Sequence, residues 1–103
     1  MTKACITKQT LIECIEAWMT GTTSTEDFQG WMLDHYEPME VDIGLGEAEF
    51  TREAMNIVMN EYELADEQTL VQAQACLAIE FINCEESSFN AAKKRFIGDA
   101  FVD

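Results

Sequence analysis

A chain of 103 residues is the length of one ordinary domain, and 48% hydrophobic residues with ten aromatics supply a core, which excludes intrinsic disorder. No apolar run reaches the ~18 residues of a membrane span, and the start, "MTKACITKQTLIECIEAW", lacks the apolar stretch of a signal peptide, so a soluble cytoplasmic protein is expected. Twenty acids against six bases give a formal net charge of −14, the wrong sign for a binder of nucleic acid or of anionic membranes.

Periodicity is helical almost throughout. Thr7 or Thr10 is placed to cap a first helix, Thr10 with Glu13 in a capping-box pattern. Leu11, Ile15 and Trp18, with Ile12 and Met19, form its buried stripe, and Gly21 ends it. In "GTTSTEDFQGWMLDHY", residues 21–36, Ser24 is the natural N-cap, and Glu26 and Asp27 suit the dipole of the first turn. Phe28, Trp31, Met32 and His35 then share one helical face, which stops at Glu37-Pro38.

Residues 37–46, "EPMEVDIGLG", form an acidic Pro/Gly loop, with room for a strand only briefly around residues 40–45. A third helix is predicted from about Glu47 to Tyr62, packing Phe50, Ala54, Ile57 and Val58, with Met55 and Met59 at its flanks. A fourth runs from an Asp66 N-cap to about Cys84. It has one stripe through Leu70, Ala73, Leu77 and Phe81 and a second through Val71, Ala75, Ala78 and Ile82, wide enough for a central helix. Ser87 or Ser88 caps a short fifth helix, "FNAAKKRF", closed by Gly98, with bases in its last turn. The expected fold is all-α, a small antiparallel bundle of about four or five helices with the acidic loop, in one domain over 1–103.

Chemistry has few of its usual parts here. Cys5, Cys14, Cys76 and Cys84 are 9, 62 and 8 residues apart, with no CxxC pair and no histidine cluster, which speaks for reduced thiols, mostly packed as small hydrophobes, and against zinc. His35 with Asp34 or Glu37 has the makings of a base and its orienting acid, but its place beside Phe28 and Trp31 reads as a core-margin histidine. Nucleophile motifs, glycine-rich phosphate loops and ExxH pairs are missing, so no catalysis and no cofactor are expected. An EF-hand count from Asp42 puts Gly44 and Gly46 where ligands belong and Glu47 where the glycine belongs, and no metal site is expected. An apolar groove would have Met39, Met55 and Met59 as its most exposed members.

Charge is the informative property. From Gln9 to Ala92 the single base is Arg52 against eighteen acids, a net of −17. An ordinary solvated helix would carry i, i+4 pairs of glutamate with lysine, and the central helices lack them. Such self-repulsion is seldom retained for solubility alone, and a surface of one sign steers an oppositely charged partner. Two clusters are the candidate partner-binding residues: Glu37, Glu40, Asp42, Glu47 and Glu49 around the loop, and Glu61, Glu63, Asp66 and Glu67 between the third and fourth helices. The expected partner is a basic protein.

The order of a short first helix, then "GTTSTEDFQGWMLDHY" with its Gly-x-x-Ser-x-Glu-Asp-Phe turn and cap, then an acidic loop, resembles the colicin-D-type and contact-dependent growth inhibition immunity proteins. The resemblance covers roughly the first sixty residues and carries over no signature residue. It implies a small acidic helical protein whose carboxylates occupy the basic groove of a nuclease toxin. The expectation is therefore an inhibitory binding protein. The alternatives are a phage-type nucleic-acid mimic, of the anti-restriction or anti-CRISPR kind, and an acidic adaptor that binds through an apolar groove.

Overall fold

Thr7 decides where the first helix begins. Its hydroxyl accepts the backbone N–H of Thr10 at 3.0 Å, so Thr10 lies inside the first turn and Glu13, instead of closing a capping box, accepts a bond from the Gln9 amide at 2.9 Å. The computed structural model describes residues 4–36 and 41–102. In these the chain is mostly helical. A strand β1 (Ala4–Ile6) leads into α1 (Lys8–Met19) and α2 (Thr25–His35); β2 (Val41–Ile43) follows, then α3 (Glu49–Leu64), α4 (Ala75–Ile82) and α5 (Phe89–Asp99). The proline and the loop residues before β2 lie outside the described residues, as do Glu37, Met39 and Glu40.

The first two helices follow the sequence closely. Leu11, Ile15 and Trp18 are buried, Gly21 takes φ +86° after the end of α1, and Ser24 accepts the N–H of Asp27 at 3.1 Å. Phe28 and Met32 are buried while Trp31 is half-buried, so the inner face of α2 is narrower than its periodicity suggests. The Trp18 and Phe28 rings stack at 4.2 Å, and Tyr62 of α3 meets both edge-on. Phe96 and Phe101 close on Tyr62 from the other side, each with its centroid within 5.5 Å of the Tyr62 ring. This aromatic cluster joins α1, α2, α3 and α5.

Four expectations are corrected. Strands occur at both ends of a parallel pair: β2 lies in the anticipated window, but β1 was not foreseen, and it pairs in the register Ala4↔Val41, Cys5↔Asp42, Ile6↔Ile43. Met55 and Met59 are wholly buried on α3, so neither can belong to an exposed groove. The long fourth helix is broken: 3-10 turns at Glu67–Thr69 and Gln72–Gln74 precede α4, Ala73 is exposed, and Asp66 makes no side-chain cap. The cause is a long-range partner. Leu70 forms an antiparallel bridge with Phe101, backed by a 2.8 Å bond from the Val102 N–H to the Thr69 carbonyl, and the Gln72 amide bonds the carbonyl that ends α1 at Trp18. Finally, α5 runs through Gly98 to Asp99, which leaves Lys93, Lys94 and Arg95 in its middle and not in its last turn.

Each helix packs on its neighbours through the stripe just described. α1 lies against α4, α4 against α5, α2 against α3, and α3 reaches both α4 and α5. Among the described residues no helix is long and apolar enough to cross a membrane. The four cysteines are free, Cys5 and Cys76 exposed and Cys14 and Cys84 half-buried, so only two of them serve as packing.

Candidate functional site

The turn from β2 into α3 is built around two glycines. Gly44 has φ +74° and Gly46 φ +89°, and the Glu47 N–H returns to the Gly44 carbonyl at 3.0 Å. Gly44 is also crowded: a Cβ there would stand 3.0 Å from the Arg52 Cγ and from the Met55 sulfur. Its N–H donates to the Ile6 carbonyl at 2.9 Å and so continues the strand pairing. The turn therefore holds Glu47 and Glu49 outward, both exposed, at the start of α3, where the helix dipole favours carboxylates.

Asp42 behaves differently from its sequence neighbours. It is half-buried on β2 and pairs with Arg52 at 3.4 Å, while the Arg52 Nε reaches the Ile43 carbonyl at 3.4 Å. The Arg52 side chain remains partly exposed and also lines the depression that holds Glu47, Glu49 and Glu53.

Three shallow depressions adjoin one another around this turn. The first is lined by Glu13, Glu16 and Glu47 beside Lys8, the second by Glu47, Glu49, Glu53 and Arg52, and the third by Glu49, Phe50, Glu53 and Glu86. Because neighbouring depressions share Glu47, Glu49 and Glu53, carboxylates from α1, from the start of α3 and from the turn before α5 form one band. Glu13, Glu16, Glu53 and Glu86 were not among the residues expected from sequence. A like-charge spacing in the sequence marks three of them, since Glu13/Glu16 and Glu49/Glu53 are i, i+3 and i, i+4 pairs. Nothing local marks Glu86; only the tertiary fold brings it there.

The second expected cluster stands apart from the band. Glu61 and Glu63 belong to the last turn of α3, twelve and fourteen residues beyond Glu49, which at ~1.5 Å per residue places them about 18 and 21 Å along the axis. Both are half-buried, while Asp66 and Glu67 are exposed in the turn that follows. Burial raises the pKa of Tyr36, and the Glu63 charge raises it further, which locates that carboxylate near the end of α2. Gln29 of α2 fixes the same corner, donating to the Tyr62 carbonyl at 3.1 Å and to the Ala65 carbonyl at 2.6 Å. The structure thus splits the expected site residues between two ends of one helix, with Glu37 and Glu40 outside the described residues.

His35 is accounted for by local structure. Its ring stacks on Trp31 at 4.5 Å, and Nδ1 lies 2.8 Å from the Trp31 carbonyl, which can only accept, so Nδ1 carries the proton. Among the described residues no three acidic, histidine or cysteine side chains converge as metal ligands. The band's carboxylates are spread over three adjoining depressions. Comparison of the chain with protein-family models, with curated proteins and with solved structures finds no match.

Proposed function

We propose that the protein is an inhibitory binder of the immunity type, which neutralises a basic nuclease-type toxin by laying its carboxylates in the groove where substrate phosphates would lie. One observation carries the reading: Glu13, Glu16, Glu47, Glu49, Glu53 and Glu86 adjoin one another and outnumber the two bases that line the same depressions, Lys8 and Arg52, of which Arg52 is already paired with Asp42. Keeping like charges together costs stability, about 0.2–0.5 kcal/mol for each close helical pair, and a basic partner would relieve that cost on binding. The helices, which we read as a small antiparallel bundle, give the band a rigid backing. In this reading the protein acts stoichiometrically in the cytoplasm and catalyses nothing. The second cluster, at Glu61, Glu63, Asp66 and Glu67, is a separate and weaker contact.

A second reading uses the same surface. A nucleic-acid mimic would present the band to a DNA- or RNA-binding channel and differ only in its target.

Immobilised protein challenged with soluble extract of its own host tests the proposal. The expected result is one dominant basic protein, released by a salt gradient, with capture at least ~10-fold weaker for a Glu13→Lys, Glu16→Lys, Glu47→Lys variant of unchanged circular dichroism. Equal capture by the variant, or retention insensitive to salt, overturns it. A captured toxin nuclease favours immunity, and a captured restriction or defence nuclease favours mimicry.

A further inference from the structure

The first two helices leave a shallow cleft between them. Thr10, Glu13 and Cys14 line it from α1, Asp27 and Trp31 from α2, and Thr22 and Thr23 from the turn that joins the helices. The spacing explains the set: i, i+3 and i+4 on α1, and i, i+4 on α2, each put their members on one side of a helix. Cys14, Thr23 and Trp31 are half-buried, while Glu13 and Asp27 are exposed. An indole and a thiol therefore lie deeper in the cleft, and two carboxylates stand at its rim.

No base is among the lining residues. The Asp27 carboxylate makes no hydrogen bond or ion pair among the described residues, and Glu13 accepts only the Gln9 amide, at 2.9 Å. Burial pushes the Cys14 thiol up to about 11, so at neutral pH the depth of the cleft adds no charge of its own. The indole is braced, since His35 stacks on the Trp31 ring at 4.5 Å and bonds the Trp31 carbonyl. Glu13 also lines the first depression of the acidic band, so the cleft continues the band around α1 toward α2.

We propose that this cleft seats an arginine side chain of the basic partner, its guanidinium packed on the Trp31 indole and paired with Asp27 and Glu13. The proposal rests on the reading of the acidic band as a surface for a basic protein, and it adds a residue that the partner must present. The lining selects arginine over lysine. An indole attracts a cation through its ring quadrupole more strongly than other aromatic rings do. A guanidinium is planar and weakly hydrated, so it stacks on a ring while its edge donates to carboxylates. The hydroxyls of Thr22 and Thr23 offer acceptors to the N–H groups left over. An ammonium keeps the charge, but it is more strongly hydrated and has no plane to stack. On this account the band draws the partner in and the cleft fixes its register.

NMR titration of the nitrogen-labelled full chain tests this at low salt, with a short end-capped oligo-arginine peptide and an oligo-lysine peptide of equal length. The two indole N–H signals serve as probe and reference. Trp18 is wholly buried, its N–H bonded to the Thr25 hydroxyl at 3.0 Å, whereas Trp31 lines the cleft. The arginine peptide is expected to move the Trp31 indole and the amides of Thr23 and Asp27 to saturation and to leave the Trp18 indole in place. It should bind at least ~3-fold more tightly than the lysine peptide. Asp27→Asn should weaken the arginine peptide at least ~3-fold, and Trp31→Leu should abolish the preference for arginine. A retained Trp18 indole signal shows that each variant keeps α1 packed on α2. A Trp31 indole that stays in place in the wild type overturns the proposal; if the amides of Glu47, Glu49, Glu53 and Glu86 still move, the proposed function stands. Movement at Trp31 with none at those four supports the cleft and counts against the band. Equal affinity for the two peptides overturns the proposal, as does an arginine peptide indifferent to Asp27→Asn or a preference for arginine that survives in folded Trp31→Leu.

Discussion

The two ends of α3 both carry carboxylates, but under opposite conditions. At the N-terminal end Glu47 and Glu49 are exposed above a glycine turn, and the helix dipole attracts them. At the C-terminal end Glu61 and Glu63 are half-buried above the aromatic cluster, no base lies in the last turn, and the dipole repels them. A count of acids along the chain scores the two ends alike. The folded surroundings separate them: the first end joins acids of α1 and of the turn before α5, and the second is enclosed by α2 and Gln29.

The largest expected effect lies beneath the C-terminal end. Tyr62→Ala should cost about 3–5 kcal/mol in urea unfolding, because Trp18, Phe28, Phe96 and Phe101 all lose their common contact. Tyr62→Phe should leave stability within about 0.5 kcal/mol or raise it, since the buried hydroxyl has no hydrogen-bond partner among the described residues. A loss of several kcal/mol from Tyr62→Phe would show that the hydroxyl is bonded after all.

Alkaline pH probes the same core. Burial pushes the Cys14 thiol from 9.0 up to about 11 and raises the Tyr62 phenol above 10.0. Each group is neutral when protonated, and the unfolded chain releases its proton first as pH rises. Stability from these two groups is therefore constant below pH 9.0 and falls above it, more steeply once pH 10.0 is passed. Cys14→Ala should lessen the fall that begins above about pH 9, to which the partly buried Cys84 thiol still contributes, and leave the steeper fall above about pH 10, measured as the urea midpoint against pH.

At the N-terminal end the expected losses are smaller. Gly44→Ala should cost about 1–3 kcal/mol, from a positive φ and from contacts at 3.0 Å with Arg52 and Met55. Gly46→Ala, strained but uncrowded, should cost less. If the two substitutions cost the same, the close approach of Arg52 and Met55 contributes nothing to the turn.

The smallest effect separates the two ends most directly. Glu49→Gln should destabilise and Glu63→Gln stabilise, each by about 0.3–1 kcal/mol at low salt, with both effects shrinking as salt is added. Equal signs would remove the electrostatic distinction between the ends.

Local rules made part of this structure legible. Thr7 and Ser24 start their helices as capping chemistry predicts, and the stripes of α1 and α2 identify most of their buried residues. Residues 66–74 depart from the helix that their pattern predicts for a physical reason. Leu70 and Val71 fit a helical stripe as well as they fit extended backbone, and what decided between the two was Phe101, some thirty residues away. Met55 and Met59 depart from expectation for another: flexible thioethers fill cores and line grooves equally well, and periodicity does not distinguish the two uses. Of the candidate site, Glu47 and Glu49 were legible from the acidic run. Asp42 was also counted, yet it is paired with Arg52, and Glu86 enters the band only because α3 lies beside the turn before α5.

The parallel strand pair sets an order of events. Its register joins Ala4 to Val41 across thirty-seven residues, and those residues include all of α1 and α2. Closing so long a loop for three residues on each strand gains little until the two helices have shortened the distance, so the pair should zip late in folding. Ile6→Ala, at the buried end of β1, is then expected to speed unfolding and leave the refolding rate nearly unchanged in stopped-flow experiments.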